Sequence, residues 1–222
     1  MKPSDFAADG FELFAAVIPQ DECESFAAQG MLDRTAVGSR CLLPHRWCAA
    51  LAKRLRQHQA LAHIIPSDHV AVQCTYFEKS AQRNWLVPVH QDLSIPVAER
   101  VSHPALGGWS RKEGALFVQA PVALLEQLVA VRLHLDACTA DDGPLRVVLG
   151  SHRAGRMAPE DAVIAKHACE VSCPAEQGSV LALRPLLLHA SSKSSGGSRR
   201  RVLHFVFGPR LLMYGLRWQH AV

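Results

Sequence analysis

His90 and Asp92 stand two positions apart, and an extended strand sends side chains at i and i+2 out of one face, so the pair can offer an imidazole and a carboxylate to the same ion. A third donor has to come from a distant part of the chain. His189, which precedes the run Arg199, Arg200 and Arg201, is the best candidate. Two imidazoles and one carboxylate on one side of an ion form the facial triad of non-haem Fe(II) oxygenases, whose open positions accept a co-substrate and O2. The three residues therefore predict an enzyme. They also demand rigid supports, because a ligand displaced by about 1 Å changes which coordination positions stay open.

Residues 70–77 (VAVQCTYF) combine β-branched and aromatic side chains and read as a strand, which leads through a polar turn at 78–84 into the strand that carries His90. Further strands are expected at 125–136, 145–149, 179–183, 186–190 and 200–207, with Asp141-Asp142-Gly143-Pro144 as a turn and 191–198 as a Ser/Gly-rich linker. Pro19-Gln20-Asp21-Glu22 has the proline and acidic first turn that open a helix. A second helix is expected over 44–62, where Trp47, Leu51, Leu55 and Leu61 form an apolar stripe against Lys53, Arg54 and Arg56, and a third over 158–167. Residues 95–113 hold Pro96, Pro104, Gly107 and Gly108 and show no regular period. Loops of that length are uncommon unless they have a task, so a substrate lid is expected over about 95–114. Short strands with tight turns suggest a sandwich or barrel, with a helical N-terminal part, about 1–65.

A chain of 222 residues suits one domain with ample burial, here taken as 1–222. Seven cysteines, odd in number and without CxxC spacing, argue for free thiols in a reducing compartment, hence a cytoplasmic protein. Asp5, Asp9 and Glu12 break up the N-terminus, which lacks the basic start and apolar core of a secretion signal. The most apolar stretch, 116–135, is interrupted by Gln119, Glu126, Gln127 and Arg132 and makes a poor membrane span. A net charge of +4, dispersed apart from the arginine run, falls short of a nucleic-acid footprint. A small-molecule substrate is the expected partner.

Three segments, in order, resemble the phytanoyl-CoA dioxygenase family of Fe(II)/2-oxoglutarate-dependent oxygenases. They are Val89-His90-Gln91-Asp92-Leu93, then Leu135-Asp136 through Asp142-Gly143-Pro144-Leu145 to Gly150-Ser151-His152, and finally His189-Ala190-Ser191 with Arg200 eleven residues after the histidine. The resemblance implies a double-stranded β-helix, or jelly roll, with supporting helices. It also implies that His90, Asp92 and His189 hold Fe(II), and that Arg200 and Ser191 bind the far carboxylate of 2-oxoglutarate, a role that suits the planar fork of arginine. O2 is the second co-substrate, and hydroxylation of a small organic molecule with release of succinate and CO2 is the implied reaction. Asp92 favours hydroxylation, since a related halogenase is expected to carry a small residue there. The chain departs from the family pattern at Asp142, where Asn is usual, at Leu149, where Pro is usual, and at Ser194 and Gly196. These changes bear on loop rigidity and substrate contacts.

Strand alternation complicates the arginine assignment, because Arg200 shares a face with Val202, His204 and Val206, whereas Arg201 shares one with Leu203, Phe205 and Phe207. Apolarity alone turns Arg201 inward; family spacing selects Arg200, given that helices can also cover the outer face. His152 and His134 compete with His189 for the third ligand position, and His134 is kept as a pocket candidate. Lys79, Asn84, Trp85, Trp109 and Arg132 are the weaker substrate candidates. Arg132 stands out, because a charge inside an apolar strand needs a partner if buried, and an anionic substrate or an acid such as Asp136 could supply it. Two other function classes remain open at this point: a non-catalytic module that binds a metabolite or 2-oxoglutarate on the same scaffold, and a cupin-like hydrolase or isomerase using Zn(II) or Mn(II).

Overall fold

The computed structural model describes residues 5–32, 38–166 and 169–222. Five α-helices and thirteen strands occur among them: α1 (Phe6–Asp9), β1 (Phe11–Phe14), α2 (Gln20–Leu32), β2 (Gly38–Ser39), α3 (Arg46–Gln57), β3 (His69–Lys79), β4 (Val87–His90), β5 (Ser94–Val97), β6 (Gly107–Lys112), β7 (Ala115–Gln119), α4 (Val122–Leu125), β8 (Val129–His134), β9 (Leu145–Val148), α5 (Pro159–Lys166), β10 (Glu170–Cys173), β11 (Val180–Leu183), β12 (His189–Ser191) and β13 (Arg200–Pro209). A six-stranded sheet runs β1-β11-β8-β13-β3-β2 and a four-stranded sheet runs β10-β9-β12-β4, both antiparallel throughout. A third sheet has three strands in the order β5-β7-β6. The molecule is the expected mostly-β jelly roll with few helices.

The large sheet is buried on both faces, which explains why its strands read as apolar runs with few alternations. On its outer face, Cys48, Leu51, Ala52 and Leu55 of α3 and Cys23 and Ala27 of α2 pack with Cys74, Tyr76, Val131, Leu133, Leu203, Phe205 and Phe207. That packing settles the alternation of β13: the apolar residues beside Arg201 belong to the helix-covered side. Arg201 itself, at the strand's edge, binds Asp136 through Nε and Nη2 at 2.8 and 2.6 Å and through its backbone N–H at 2.8 Å. Arg200 and His204 therefore face the interior.

Four expected elements differ. Residues 95–114 are not one long loop: β5 and β6 flank an irregular stretch and both pair with β7. Pro96 sits in β5 at the edge of that sheet, the position where a strand tolerates a residue without an N–H. The segment 125–136 divides into the end of α4, which follows Pro121, and β8 from Val129. Leu186, Leu187 and Leu188 form a turn instead of a strand and enter three separate apolar clusters, so the apolar run carries no strand periodicity. Asp92 lies just past β4 and only His90 ends within it. The helices expected over 44–62 and 158–167 are found as α3, with a following 3-10 turn, and as α5, although residue 167 lies outside those described.

Asp142, the departure from Asn, is buried and holds its turn closed. Its carboxylate accepts from the Thr139 backbone N–H at 2.8 Å and hydroxyl at 2.7 Å, and from the Ser198 hydroxyl. The turn it secures presents the Gly143 carbonyl to the cavity side. Gly143 has φ +62°, and a Cβ there would lie 2.4 Å from the Ser192 carbonyl oxygen, so the turn requires glycine on both counts.

Candidate metal centre

The antiparallel pairing of β12 with β4 sets His189 directly opposite His90, with ring centroids 4.3 Å apart. Asp92 reaches the same point from the segment after β4, its N–H tied to the Pro185 carbonyl at 2.9 Å. His189 Nε2 lies 3.7 Å from one Asp92 carboxylate oxygen and His90 Nε2 lies 3.8 Å from the other, and all three donors fall within 4.8 Å of one another. Among the described residues this is the one cluster of three such donors.

The donor chemistry fits a divalent ion. Both Nδ1 atoms are 2.9 Å from backbone carbonyls, His90 from Pro88 and His189 from Leu187, so each Nδ1 carries the proton and each Nε2 lone pair points inward. A histidine ligand held this way by a backbone carbonyl is the usual supporting arrangement of a metal site. Two atoms each about 2.1 Å from one ion stand at most about 4.2 Å apart, and both distances to Asp92 lie inside that limit. Burial, opposed by Asp92, pushes His189 down to about 4, so the imidazole is neutral at physiological pH, as a ligand must be. Burial pushes the Asp92 carboxyl up, but His189, His204 and His90 outweigh it and hold the group below its ordinary value.

A third imidazole, unforeseen as a site residue, adjoins this group. His204 Nε2 lies 3.8 Å from Asp92, while its Nδ1 is 3.3 Å from Arg132 Nη1. A guanidinium can only donate, so Nδ1 is the acceptor and Nε2 keeps the proton. His204 thus meets Asp92 as a hydrogen-bearing neighbour and offers no lone pair there. Its one sequence signal was its shared face with Arg200.

Beneath the three donors lies a cavity of about 560 Å³ between the two sheets, within the range of small-molecule sites. Its wall includes His90, Asp92, His189, His204, Thr75, Phe77, Trp85, Phe117, Arg132, Ser191 and Arg200. Elsewhere on the wall, Ser191 Oγ donates to the Gly143 carbonyl at 2.9 Å and accepts from Lys79 Nζ at 2.6 Å, and Arg200 Nη1 donates to the same carbonyl. Arg200 and Lys79 are cross-strand partners. Burial first, then the nearby Arg200 and Arg132, lowers Lys79 to about 8.

Of the sequence candidates, the structure gathers His90, Asp92, His189, Ser191, Arg200, Arg132 and Trp85 around one cavity. Lys79 stands behind the wall, bonded to Ser191 and the Ser192 carbonyl with its ammonium 5.5 Å from the Trp85 ring centre. Asn84 clamps Ser194 by two hydrogen bonds of 2.7 Å and lies outside the wall. Trp109 stacks under Arg100 at 5.2 Å, also outside it. His134 is buried off the wall, lowered to about 3 by burial and by Arg132 and Arg200. His152, the other rival ligand, rests on the Ala7 carbonyl. Asp136 is taken by Arg201 and does not partner Arg132.

A cupin-like jelly roll thus carries two imidazoles and a carboxylate that could hold a divalent ion, beside a cavity whose wall includes Arg132 and Arg200. The family profile for phytanoyl-CoA dioxygenase (PhyH) matches residues 6–202, and the chain belongs to that family. A comparison with curated proteins finds no sequence match. Solved structures share the fold at low identity. HygX from Streptomyces hygroscopicus, with nickel and 2-oxoglutarate bound, superposes with a TM-score of 0.64 at 19% identity, covering 93% of this chain and 85% of HygX. The α-ketoglutarate-dependent epimerase SnoN of nogalamycin biosynthesis gives 0.65 at 12% identity over 92% of this chain and 79% of its own. EctD from S. alaskensis in its apoform gives 0.64 at 16%, over 92% and 74%. No helix among the described residues is long and apolar enough to cross a membrane.

Proposed function

We propose that this protein is an Fe(II)/2-oxoglutarate-dependent dioxygenase that hydroxylates a small organic molecule, releasing succinate and CO2. The observation that carries the reading is the convergence of the His90, Asp92 and His189 donor atoms on the wall of a cavity that Arg200 and Ser191 also line, with Lys79 behind Ser191. The first set suits an Fe(II) ion, and the second suits the far carboxylate of a dicarboxylate. Bound there, iron would supply the O2 activation and the oxidising power that side chains lack.

The chain's own residues do the rest. The carbonyls of Pro88 and Leu187 fix the tautomer of both imidazoles, so no rearrangement is needed when an ion arrives. Asp92 contributes a negative charge and would be the third protein ligand of an ion held with His90 and His189. Arg200, fixed by the Gly143 carbonyl, and Ser191 orient the co-substrate from its far end. Phe77, Phe117 and Trp85 line the cavity with apolar surface that excludes water. HygX is described with hygromycin B bound, and SnoN is an epimerase, which fits a scaffold whose substrate and outcome vary around a shared core.

The test is succinate formation from 2-oxoglutarate, with O2 consumption, by the Fe(II)-loaded protein. His90→Ala or Asp92→Ala is expected to abolish both. Normal turnover in either variant, or 2-oxoglutarate-independent hydrolysis with Zn(II), defeats the reading.

A further inference from the structure

Arg132 enters the cavity from the middle of β8, and neither the metal cluster nor the Arg200 end makes use of it. It is 7% exposed, and its Nε is buried without a hydrogen-bond partner. Nη1 donates to Nδ1 of its cross-strand partner His204, and the guanidinium carbon sits 5.6 Å from the centre of the Phe77 ring. These contacts fix the plane of the guanidinium and leave donors toward the cavity it lines.

Charge makes the case sharper. Arg132 and Arg200 are buried cations on the cavity wall and Lys79 is a third behind it; burial first, and then the nearby Arg200, lowers the affinity of both Arg132 and Lys79 for protons. Asp136, the acid nearest in sequence, is occupied by Arg201. Asp92 is the one carboxylate on the cavity wall, and in the proposed function it neutralises the metal. Buried charges without counter-charges are costly, so the cavity is built for an anion carrying more than one negative charge. The cations also have different neighbours. Arg200 and Lys79 share the Ser191 and Gly143 end, whereas Arg132 adjoins His204, which touches Asp92 at the metal end.

We propose that Arg132, held by His204, is a second carboxylate-binding residue of the cavity, placed to take the oxo-acid end of a dicarboxylate whose far end lies on Arg200. The proposal rests on the reading of 2-oxoglutarate as co-substrate and adds to it a clamp at both ends. Two arginine forks facing two carboxylates would favour a diacid of matching length over mono-acids, which engage one fork alone, and over longer diacids.

Calorimetric titration of the Ni(II)-loaded protein with 2-oxoglutarate and with 2-oxobutanoate, which has the oxo-acid end alone, separates the two ends without turnover. Arg200→Gln is expected to weaken 2-oxoglutarate at least tenfold and leave 2-oxobutanoate unchanged. Arg132→Gln is expected to weaken both at least tenfold. Arg132→Lys, which keeps the charge and loses the fork, should weaken both several-fold, and it decides the matter if the glutamine variant does not fold. Wild-type affinity for both acids in the Arg132 variants, with Arg200→Gln impaired for 2-oxoglutarate, overturns this proposal alone and assigns Arg132 to some other anion. Failure of the unsubstituted protein to bind 2-oxoglutarate removes the co-substrate reading, and this proposal with it.

Discussion

His189 and His90 are direct partners across the β12–β4 ladder, and each ring is tethered through Nδ1 to a carbonyl two residues earlier in its own chain segment, Leu187 and Pro88. The convergence of the two imidazoles is therefore a property of strand register. A slip of one residue would turn one imidazole to the other face and dismantle the site. The same reciprocity predicts that either histidine is indispensable despite unequal exposure, His90 being open and His189 buried. Titration with Ni(II) should show a loss of affinity of about 100-fold or more for His90→Ala and for His189→Ala, above the 10–100-fold expected of a supporting residue. Retained affinity in His189→Ala, with loss in His204→Ala, would move the third ligand to His204.

The adjacent arginines 200 and 201 give a second, paired prediction. Arg201 makes its three bonds to Asp136 at the margin of the helix-covered face, away from the cavity. Arg201→Ala is expected to cost roughly 1.5–3 kcal/mol of stability, about 3–10 °C in Tm for a chain of this size, with KM for 2-oxoglutarate unchanged. Arg200→Ala should raise that KM at least tenfold with a smaller loss of Tm. A reversed pattern would mean that the two side chains had been assigned to the wrong faces.

The pair also marks how far the sequence could be read. The meeting of His90, Asp92 and His189 and the inward turn of Arg200 could be expected because their spacing carries the family pattern, whereas periodicity by itself favoured Arg201 for the interior. It did so because a sheet clad in helices is apolar on both faces, and alternation then says nothing about which face is inside. His204 was hidden for the same reason, as one histidine in a strand buried throughout. The stretch 95–114 misled in another way: Pro96 and the glycines signal loops, yet they are accommodated in the short edge strands of a small sheet.

Acid should unfold this protein through its buried histidines. His134, His189 and His204 are lowered by burial to about 3, about 4 and about 3 respectively. Released into the unfolded chain, each would titrate near its ordinary value of about 6.5. Below that value the unfolded state takes up protons that the folded state refuses, so stability is full above about pH 6.5 and falls as pH drops toward 4, by roughly 1 kcal/mol per pH unit for each histidine. Urea unfolding at a series of pH values between 7.5 and 4.5 measures the slope. His134→Gln removes one contributor without touching the metal cluster and should flatten the curve by about a third. A midpoint independent of pH over that range would show that these imidazoles are charged in the folded protein.

Gln91 supplies the last prediction, because it separates the two proposed ligands His90 and Asp92 and its amide bonds elsewhere. Its amide donates to the carbonyls of Gly155 and Leu186 at 2.7 Å each and accepts from the Met157 N–H at 2.9 Å, joining the end of β4 to the turn before His189 and to the segment before α5. Both ligand-bearing segments thus hang on one side chain that never approaches an ion. Gln91→Leu leaves two carbonyls and an N–H without partners in a buried place, at a cost of about 1–3 kcal/mol for each group that water cannot reach. Gln91→Glu replaces a donor with a carboxylate facing two carbonyl oxygens and should be worse. Both variants are expected to lower Tm and to weaken Ni(II) binding about tenfold, in line with the loss of a supporting contact. An unchanged Tm accompanied by weaker metal binding would instead place Gln91 at the ion itself.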